Sequence, residues 1–241
     1  MNGSMAHEID CELNQVGGGT VCTCWFGYQR DRVAFPARAI DPSARIHPSV
    51  KIGKGVRIGV GVVIAEGVVI EDGVSIWHHA NILPNAHIKK DAMVAFCCQI
   101  ERDVVIGERS RIQPFAAPGS GTVVGDDVYF GPYSCTANAP YPPCKRLQGG
   151  IVGDGAIIGM GVYVMPGVTI GKRAVVGTGS LVRHDIPEEE VWFGRPCAFA
   201  TTRKAYDEKQ ADWNSGKKNL DTRMKVRLEH GIEGVEEEPR W

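Results

Sequence analysis

A six-residue ruler constrains this chain more than any other feature of it. Stepping by six from Ile40 lands on Ile46, Ile52, Ile58, Ile64, Ile70, Ile76, Ile82, Ile88, Val94, Ile100, Ile106, Ile112, Pro118, Val124, Phe130 and Thr136. Fourteen of these seventeen positions are Ile or Val. The residue four further on is small or β-branched in turn: Ala44, Val50, Val56, Val62, Val68, Val74, Ala80, Ala86, Ala92. The phase breaks once and resumes at Val152, Ile158, Val164, Ile170, Val176 and Val182. A period of six fits neither an α-helix nor an alternating strand. Each hexad therefore makes one short strand and one turn. The aliphatic residue faces inward, the small one sits at the bend, and Gly, Asp or Asn form the tight corners. Three hexads per coil give an all-β parallel β-helix, a triangular prism of about eight coils around one shared core.

Composition agrees with this reading. The chain of 241 residues holds 30 Gly, 27 Val and 19 Ile against 6 Leu, a strand-and-turn balance that excludes an all-α fold. With 27 Lys+Arg against 28 Asp+Glu and a net charge of −1, it lacks the basic surplus of a nucleic-acid binder. The first fifteen residues carry Glu8, Asp10 and Glu12 with no apolar segment, so no secretory signal is expected. No run approaches the roughly 20 apolar residues of a membrane helix, and no membrane insertion is expected. The eight cysteines follow no framework spacing, and Cys97 and Cys98 are adjacent. They read as reduced thiols of a cytoplasmic protein. His7, Cys11, Cys22 and Cys24 match no common zinc spacing, and no metal is expected.

Counting past Thr136 would reach residue 142, yet the pattern restarts at Val152. Ten residues, 142–151, are therefore extra, and they form a loop projecting from one corner, where insertions in solenoids often build the binding face. A tolerated surface bulge is the alternative. Residues 1–39 lack the phase and form an irregular N-terminal extension with one short strand near 21–26. The prism spans 40–198. Residues 199–241 form a charged helical segment expected to close the open end of the core, followed by an acidic tail at 236–238.

Three segments narrow the chemistry. The first is Ser75-Ile-Trp-His-His-Ala-Asn-Ile82. The second is Phe130-Gly-Pro-Tyr-Ser-Cys-Thr-Ala-Asn138-Ala-Pro-Tyr-Pro142, just before the loop. The third runs from Gly167-Val-Thr-Ile-Gly-Lys172 to Val191-Trp-Phe-Gly-Arg-Pro-Cys-Ala198. Over about residues 40–200 the chain resembles the hexapeptide-repeat acyltransferases. The first two segments are similar to those of the nucleotide-sugar N-acetyltransferases; the third is shared across the whole superfamily. The resemblance implies a left-handed helix, acetyl-CoA as co-substrate and a homotrimer with active sites between subunits. It also implies an acceptor amine on a dTDP- or UDP-linked amino deoxysugar.

Such a reaction is aminolysis of a thioester, and a donor aimed at the developing oxyanion contributes roughly 10²–10³-fold. Asn138 matches the family's Asn and is the first catalytic candidate; supporting a turn is its bland alternative. His78 matches a family position and, with His79, is able to act as a base near neutral pH. By phase His79 stacks over Cys97, Phe115 and Tyr133. His79, Asn81, Gln113, Tyr133, Tyr141 and Arg146 are the candidates for acceptor binding. Gly159, Gly161, Gly177 and Gly179 leave room for a pantetheine arm, and Lys172, Arg173, Arg183 and Arg195 are candidates for its phosphates.

The chain departs from the family at Asn81, at Gln113-Pro114-Phe115 and at Ala139, which bears on the acceptor more than on the reaction. A γ-type carbonic anhydrase shares the prism but needs three converging histidines, and none occurs in 100–183. A non-catalytic β-helical scaffold subunit is the other class of reading.

Overall fold

The computed structural model describes residues 13–16, 19–22, 39–142 and 147–214. Each hexad contributes a two-residue strand, such as Arg57–Ile58, Val63–Ile64 and Val69–Ile70, and three in succession complete one turn of the prism. Strands pair in parallel eighteen residues on, Ile46 with Ile64, Ile70 with Ile88 and Ile76 with Val94. The chain is a left-handed parallel β-helix of about eight turns. One face has seven strands, from Lys51–Ile52 to Thr169–Ile170, and a second has nine, from Arg57–Ile58 to Cys197–Thr202. The third is divided into four strands ending at Gln99–Ile100 and three starting at Cys135–Thr136, joined through 116–118: Gln99 and Glu101 donate to the Ala116 and Pro118 carbonyls (3.1 and 3.2 Å), and Ala117 bridges to Cys135.

Three corners join these faces. The first, between the nine-stranded and divided faces, carries 77–80, 95–98, 113–116, 131–134, 159–162 and 177–180. The second, between the divided and seven-stranded faces, carries 83–86, 101–104, 119–122, 137–150 and 165–168. The third carries 71–74, 89–92, 107–110, 125–128, 153–156 and 171–174. The inward ladder of Ile58, Ile64, Ile70, Ile76, Ile82 and their successors is fully buried. Each such side chain contributes about 1.5–3 kcal/mol on leaving water, so stability is spread evenly along the axis.

The turns share one backbone rule. Every sixth residue from Gly55 to Tyr133, and again from Gly155 to Gly179, has a positive φ. Asn and Asp tolerate that conformation better than other non-glycine residues, and bulky side chains least of all. Asn85, Asp91, Asp103 and Asp127 obey this preference; Phe115 (φ 61°) and Tyr133 (φ 57°) do not.

Across the insertion the register lengthens. Val124 pairs with Val152, Phe130 with Ile158 and Thr136 with Val164, each twenty-eight residues on. The ten extra residues leave from the second corner. Their neck is the Asn138 carbonyl accepting the Gln148 N–H at 2.7 Å, so the loop opens earlier than a count of phase alone locates it. Beneath the neck the core turns polar. Thr136 occupies an aliphatic ladder position, is buried, shares a 2.6 Å hydrogen bond with Thr122, and accepts the Gly119 N–H at 2.7 Å.

The C-terminal end is finished by an antiparallel pair, Glu190–Gly194 with Cys197–Thr202, which continues the nine-stranded face. Trp192 and Cys197 pack against the core. The helix Arg203–Asn214 that follows is held to the third corner. Arg203 donates to the Arg173 carbonyl at 3.0 Å and pairs with Asp207 at 2.6 Å, and Arg173 also reaches Asp207 at 3.3 Å. The start of the helix is thus tied both to the third corner and to the terminal strand pair. In the N-terminal extension Leu13–Val16 pairs with Gly19–Cys22 as an antiparallel hairpin. The rest of the short strand expected near 21–26, and the acidic tail, lie outside the described residues. Among the described residues no helix is long and apolar enough to cross a membrane.

Candidate functional site

The first corner gathers half of the residues singled out from the sequence. Its third positions form one vertical column: His79, Cys97, Phe115, Tyr133, Gly161, Gly179. A repeated bond fixes the register, in which each N–H donates to the preceding coil. His79 donates to Val60, Cys97 to His78 (3.0 Å), Tyr133 to Pro114 (3.1 Å), Gly161 to Pro132 (2.8 Å) and Gly179 to Met160 (2.8 Å). Phe115 and Tyr133 are 43% and 57% exposed, and their rings stack with centroids 4.9 Å apart at 6°. Phe96 meets Phe115 edge-on at 5.5 Å. Gln113 opens the Phe115 turn, and its carbonyl accepts the buried Cys98 thiol at 3.0 Å. Burial pushes that thiol up to about 12, so Cys98 is a packing group. Among the described residues Cys97, Cys98, Cys135 and Cys197 are free thiols.

His78 sits one residue before this column. Its Nδ1 accepts the Val60 N–H at 2.8 Å. At the same turn position Asp72 accepts from Lys54 (2.6 Å), Asp126 from Glu108 (2.8 Å) and Asp154 from Asp126 (3.1 Å). His78 thus makes the coil-to-coil bond that aspartates make elsewhere. Partial burial, and secondarily the neighbouring His79, hold its pKa below the usual imidazole value, against a smaller opposing pull from Asp41. The neutral ring with Nδ1 engaged is not set to take a proton at that nitrogen. The sequence held this signal, since six-step phase aligns His78 with those aspartates.

Above Tyr133 the column position itself carries no side chain, while Met160 and Thr178 beside it are exposed. Around the position a Cβ would take on Gly161 or Gly179 there is nothing within 4 Å. Gly159 and Gly177, expected to leave room as well, do not: a Cβ on Gly159 would overlap the Thr178 backbone of the next coil, and one on Gly177 would overlap Phe193. The Arg195 guanidinium lies 5.5 Å over the Tyr163 ring, two residues beyond Gly161. Arg195 is the one cation from the proposed phosphate set that the fold brings beside the glycine edge.

Lys172 and Arg173 stand on the third corner instead. Lys172 pairs there with Asp154 (3.0 Å), and Arg173 with Glu189 (2.8 Å) and Asp207 (3.3 Å). The Lys172 hydrogen bond and charge hold the Asp154 carboxyl below its usual value, and Asp154 raises Lys172 in turn. Phase again separates them: the aliphatic residues before Lys172 and Gly161 are Ile170 and Ile158, two hexads apart and so on different corners.

Asn138 lies at the second corner, across the divided face from the glycine edge. It is half-buried at the loop neck, with Nδ2 close to Gly119. Tyr141, on the loop, is 84% exposed. Arg183 is exposed just beyond Leu181–Val182, at the corner that carries Asn138. Asn81 is exposed on the divided face between Val63 and Gln99. Arg146 lies outside the described residues. Among the described residues no three His, Cys, Asp or Glu side chains converge as metal ligands.

The chain matches the family described as "GMPPB C-terminal domain" over residues 40–157 and "Bacterial transferase hexapeptide (six repeats)" over 149–184. It is 41% identical over 103 residues to the galactoside O-acetyltransferase of Lactococcus lactis subsp. lactis (strain IL1403), covering 39% of this chain and 49% of that one. It is 32% identical over 143 residues to gamma carbonic anhydrase 2, mitochondrial, of Arabidopsis thaliana, covering 50% of this chain and 51% of that one. The chain therefore spans about half the length of these curated relatives. Among solved structures, that of the polySia-specific acetyltransferase NeuO superposes with a TM-score of 0.51 at 16% identity, covering 68% of this chain and 87% of that one. That likeness is one of fold. The matches support the hexapeptide transferase family and its left-handed β-helix fold.

Proposed function

We propose that this chain is an acetyltransferase. It would move the acetyl group of acetyl-CoA to the amine of a nucleotide-linked amino deoxysugar, carried on dTDP or UDP, by direct attack on the thioester. The nitrogen–carbon bond forms, the carbon–sulfur bond breaks, coenzyme A leaves as its thiol, and the amine proton passes to the thiolate or to water. The observation that carries the reading is the open space at Gly161 and Gly179, with Arg195 near by. A slender pantetheine arm fits past these two positions, flanked by the exposed Met160 and Thr178, and a guanidinium suits its phosphates.

Asn138, at the mouth of the projecting loop, would donate its amide to the carbonyl oxygen as charge develops there. His78, His79, Asn81, Gln113, Tyr133, Tyr141 and Arg146 would hold the acceptor, with His78 acting by orientation rather than as a base. Arg183 would add charge near the loop. Within one chain Asn138 and the glycine edge lie on opposite borders of the divided face. A site that uses both is best completed between copies, in keeping with a homotrimer.

A sugar hydroxyl is the second reading, favoured by the identity to a galactoside O-acetyltransferase. A hydroxyl needs a general base far more than an amine does. No histidine occurs between His87 and His184, and the Nδ1 of His78 is engaged, which favours the amine.

The test is thiol release from acetyl-CoA with dTDP- and UDP-linked 3-amino and 4-amino sugars, and with a simple galactoside. Turnover with one amino sugar is the expected result. Turnover with the galactoside alone would favour the hydroxyl. Failure to bind acetyl-CoA would overturn both and favour a non-catalytic scaffold.

A further inference from the structure

The first-corner column is a ladder of side chains with a vacant rung. Phe115 and Tyr133 stack one coil apart, 4.9 Å between centroids and 6° from parallel. The next position in the same bond series is Gly161, whose N–H reaches Pro132 as the Tyr133 N–H reaches Pro114. A side chain there would meet nothing within 4 Å beyond its own neighbours Met160 and Val162, of which Met160 is 51% exposed. The lower coil therefore ends in an exposed ring, and the place of the next ring is open.

We propose that this place is a stacking seat for a nucleobase, with Tyr133 as its floor and the phosphates of the same ligand directed to Arg195. The inference rests on the acetyl-transfer reading only for the source of the base. That source is either the adenine of coenzyme A or the base of the acceptor's nucleoside diphosphate.

Three observations carry it. First, the turn demands a positive φ at every sixth residue, and at 115 and 133 (φ 61° and 57°) that place is given to bulky rings, which tolerate it least. Both rings face outward, so the core gains nothing from them. Second, both turns are rigid. Pro114 and Pro132 precede the rings, and Pro followed by a positive-φ residue is a favoured turn sequence. The buried Ser134 hydroxyl then donates to the Gly159 carbonyl (2.7 Å) and accepts from the Val162 N–H (3.1 Å), which fixes the coil spacing on either side of Gly161. Third, the Arg195 guanidinium over Tyr163 supplies a cation next to the seat, whereas Lys172 and Arg173 are paired on another corner. One coil of the edge takes the ring, and Gly179 on the next is left for the pantetheine arm.

The experiment measures binding by the full chain, using calorimetry, of 3′-phospho-ADP, UDP, dTDP and ribose 5-phosphate. Tyr133→Asn removes the ring while keeping a residue that tolerates positive φ; Tyr133→Phe keeps the ring; Gly161→Asn fills the seat. Stacking on one aromatic ring leads us to expect roughly 10-fold or greater loss of nucleotide affinity in Tyr133→Asn. Gly161→Asn should show a comparable loss, Tyr133→Phe should stay within about 2-fold, and ribose 5-phosphate should be indifferent to all three. Loss confined to 3′-phospho-ADP assigns the seat to coenzyme A, and loss confined to UDP or dTDP assigns it to the acceptor. Unchanged nucleotide affinity in Tyr133→Asn overturns the proposal, as does a loss that only accompanies dissociation of an oligomer in sedimentation. A ring-dependent nucleotide site in a protein that transfers no acetyl group would overturn the acetyl-transfer reading alone.

Discussion

The hydroxyls of Thr122 and Thr136 meet at 2.6 Å inside the prism, directly below the neck of the projecting loop. On either side of Thr136 in the ladder of this face, Ile100 and Val164 are aliphatic and buried, so this pair is a local substitution of hydrogen bonding for packing. Thr136 does more than its partner, because it also accepts the Gly119 N–H at 2.7 Å. Replacing Thr136 with Val leaves both Gly119 and Thr122 unsatisfied, at about 1–3 kcal/mol for each buried group. Thr122→Val leaves the Gly119 bond in place and should cost less. Urea unfolding of the two variants tests the ranking; equal midpoints would show that the Gly119 bond carries no weight.

Asn138→Ala should lower turnover by roughly 10²–10³-fold if its amide serves the oxyanion. The neck should survive, because the bond to Gln148 uses the Asn138 carbonyl. Turnover and circular dichroism are read together. Full activity in a folded variant would remove Asn138 from the reaction.

His78 makes stability depend on pH. Its folded pKa lies below the ordinary value near 6.5, so between the two the unfolded chain binds more protons and stability rises with pH. The contribution is complete above about pH 6.5 and is lost as pH falls through the folded value. His78→Asp keeps an acceptor for Val60, as Asp72 and Asp126 do for their neighbours. It should flatten this part of the profile. Unfolding midpoints at pH 7.5 and 5.5 decide the matter: an identical slope in wild type and variant rules out His78 as its source.

Two glycines should respond oppositely to substitution. A Cβ on Gly107 would overlap the Gly125 carbonyl of the next coil, and neither backbone can yield cheaply. Gly107→Ala should therefore cost about 1–3 kcal/mol. Gly55 has φ 67° and open space beyond it, and Asn occupies the equivalent turn position at Asn85. Gly55→Asn should change the melting temperature little. Similar losses in both would mean that inter-coil spacing does not limit the fold.

Much of this architecture is legible in the sequence because one side chain per hexad must point inward. The ladder from Ile40 to Thr136 and its restart at Val152 give the coils, the faces and the ten extra residues. Phase also assigns every residue to a corner, which separates Lys172 and Arg173 from the glycine edge and groups His78 with the aspartates. The hydrogen bonds of Thr136 could not be read in this way, because a threonine in an aliphatic ladder looks like a tolerated substitution until its partners are seen. Nor could the seating of the helix Arg203–Asn214 at the third corner, which depends on the Arg203 contacts with Arg173 and Asp207.

The split in the third face has a mechanical meaning. A stack of two-residue strands behaves as a row of nearest-neighbour couplings, and coils can peel away one after another from an end. On that face Pro118 takes a ladder place and has no N–H to give, although Gln99 and Glu101 still donate to the Ala116 and Pro118 carbonyls at 3.1 and 3.2 Å. This makes a weak rung rather than a gap, because the other two faces run past it with seven and nine strands. Amide exchange should register that rung: amides of 99–101 and 117 should exchange sooner than those beside them on the two continuous faces. The Asn138 neck and the open glycine positions lie above the rung, and His78, His79 and Asn81 lie below it.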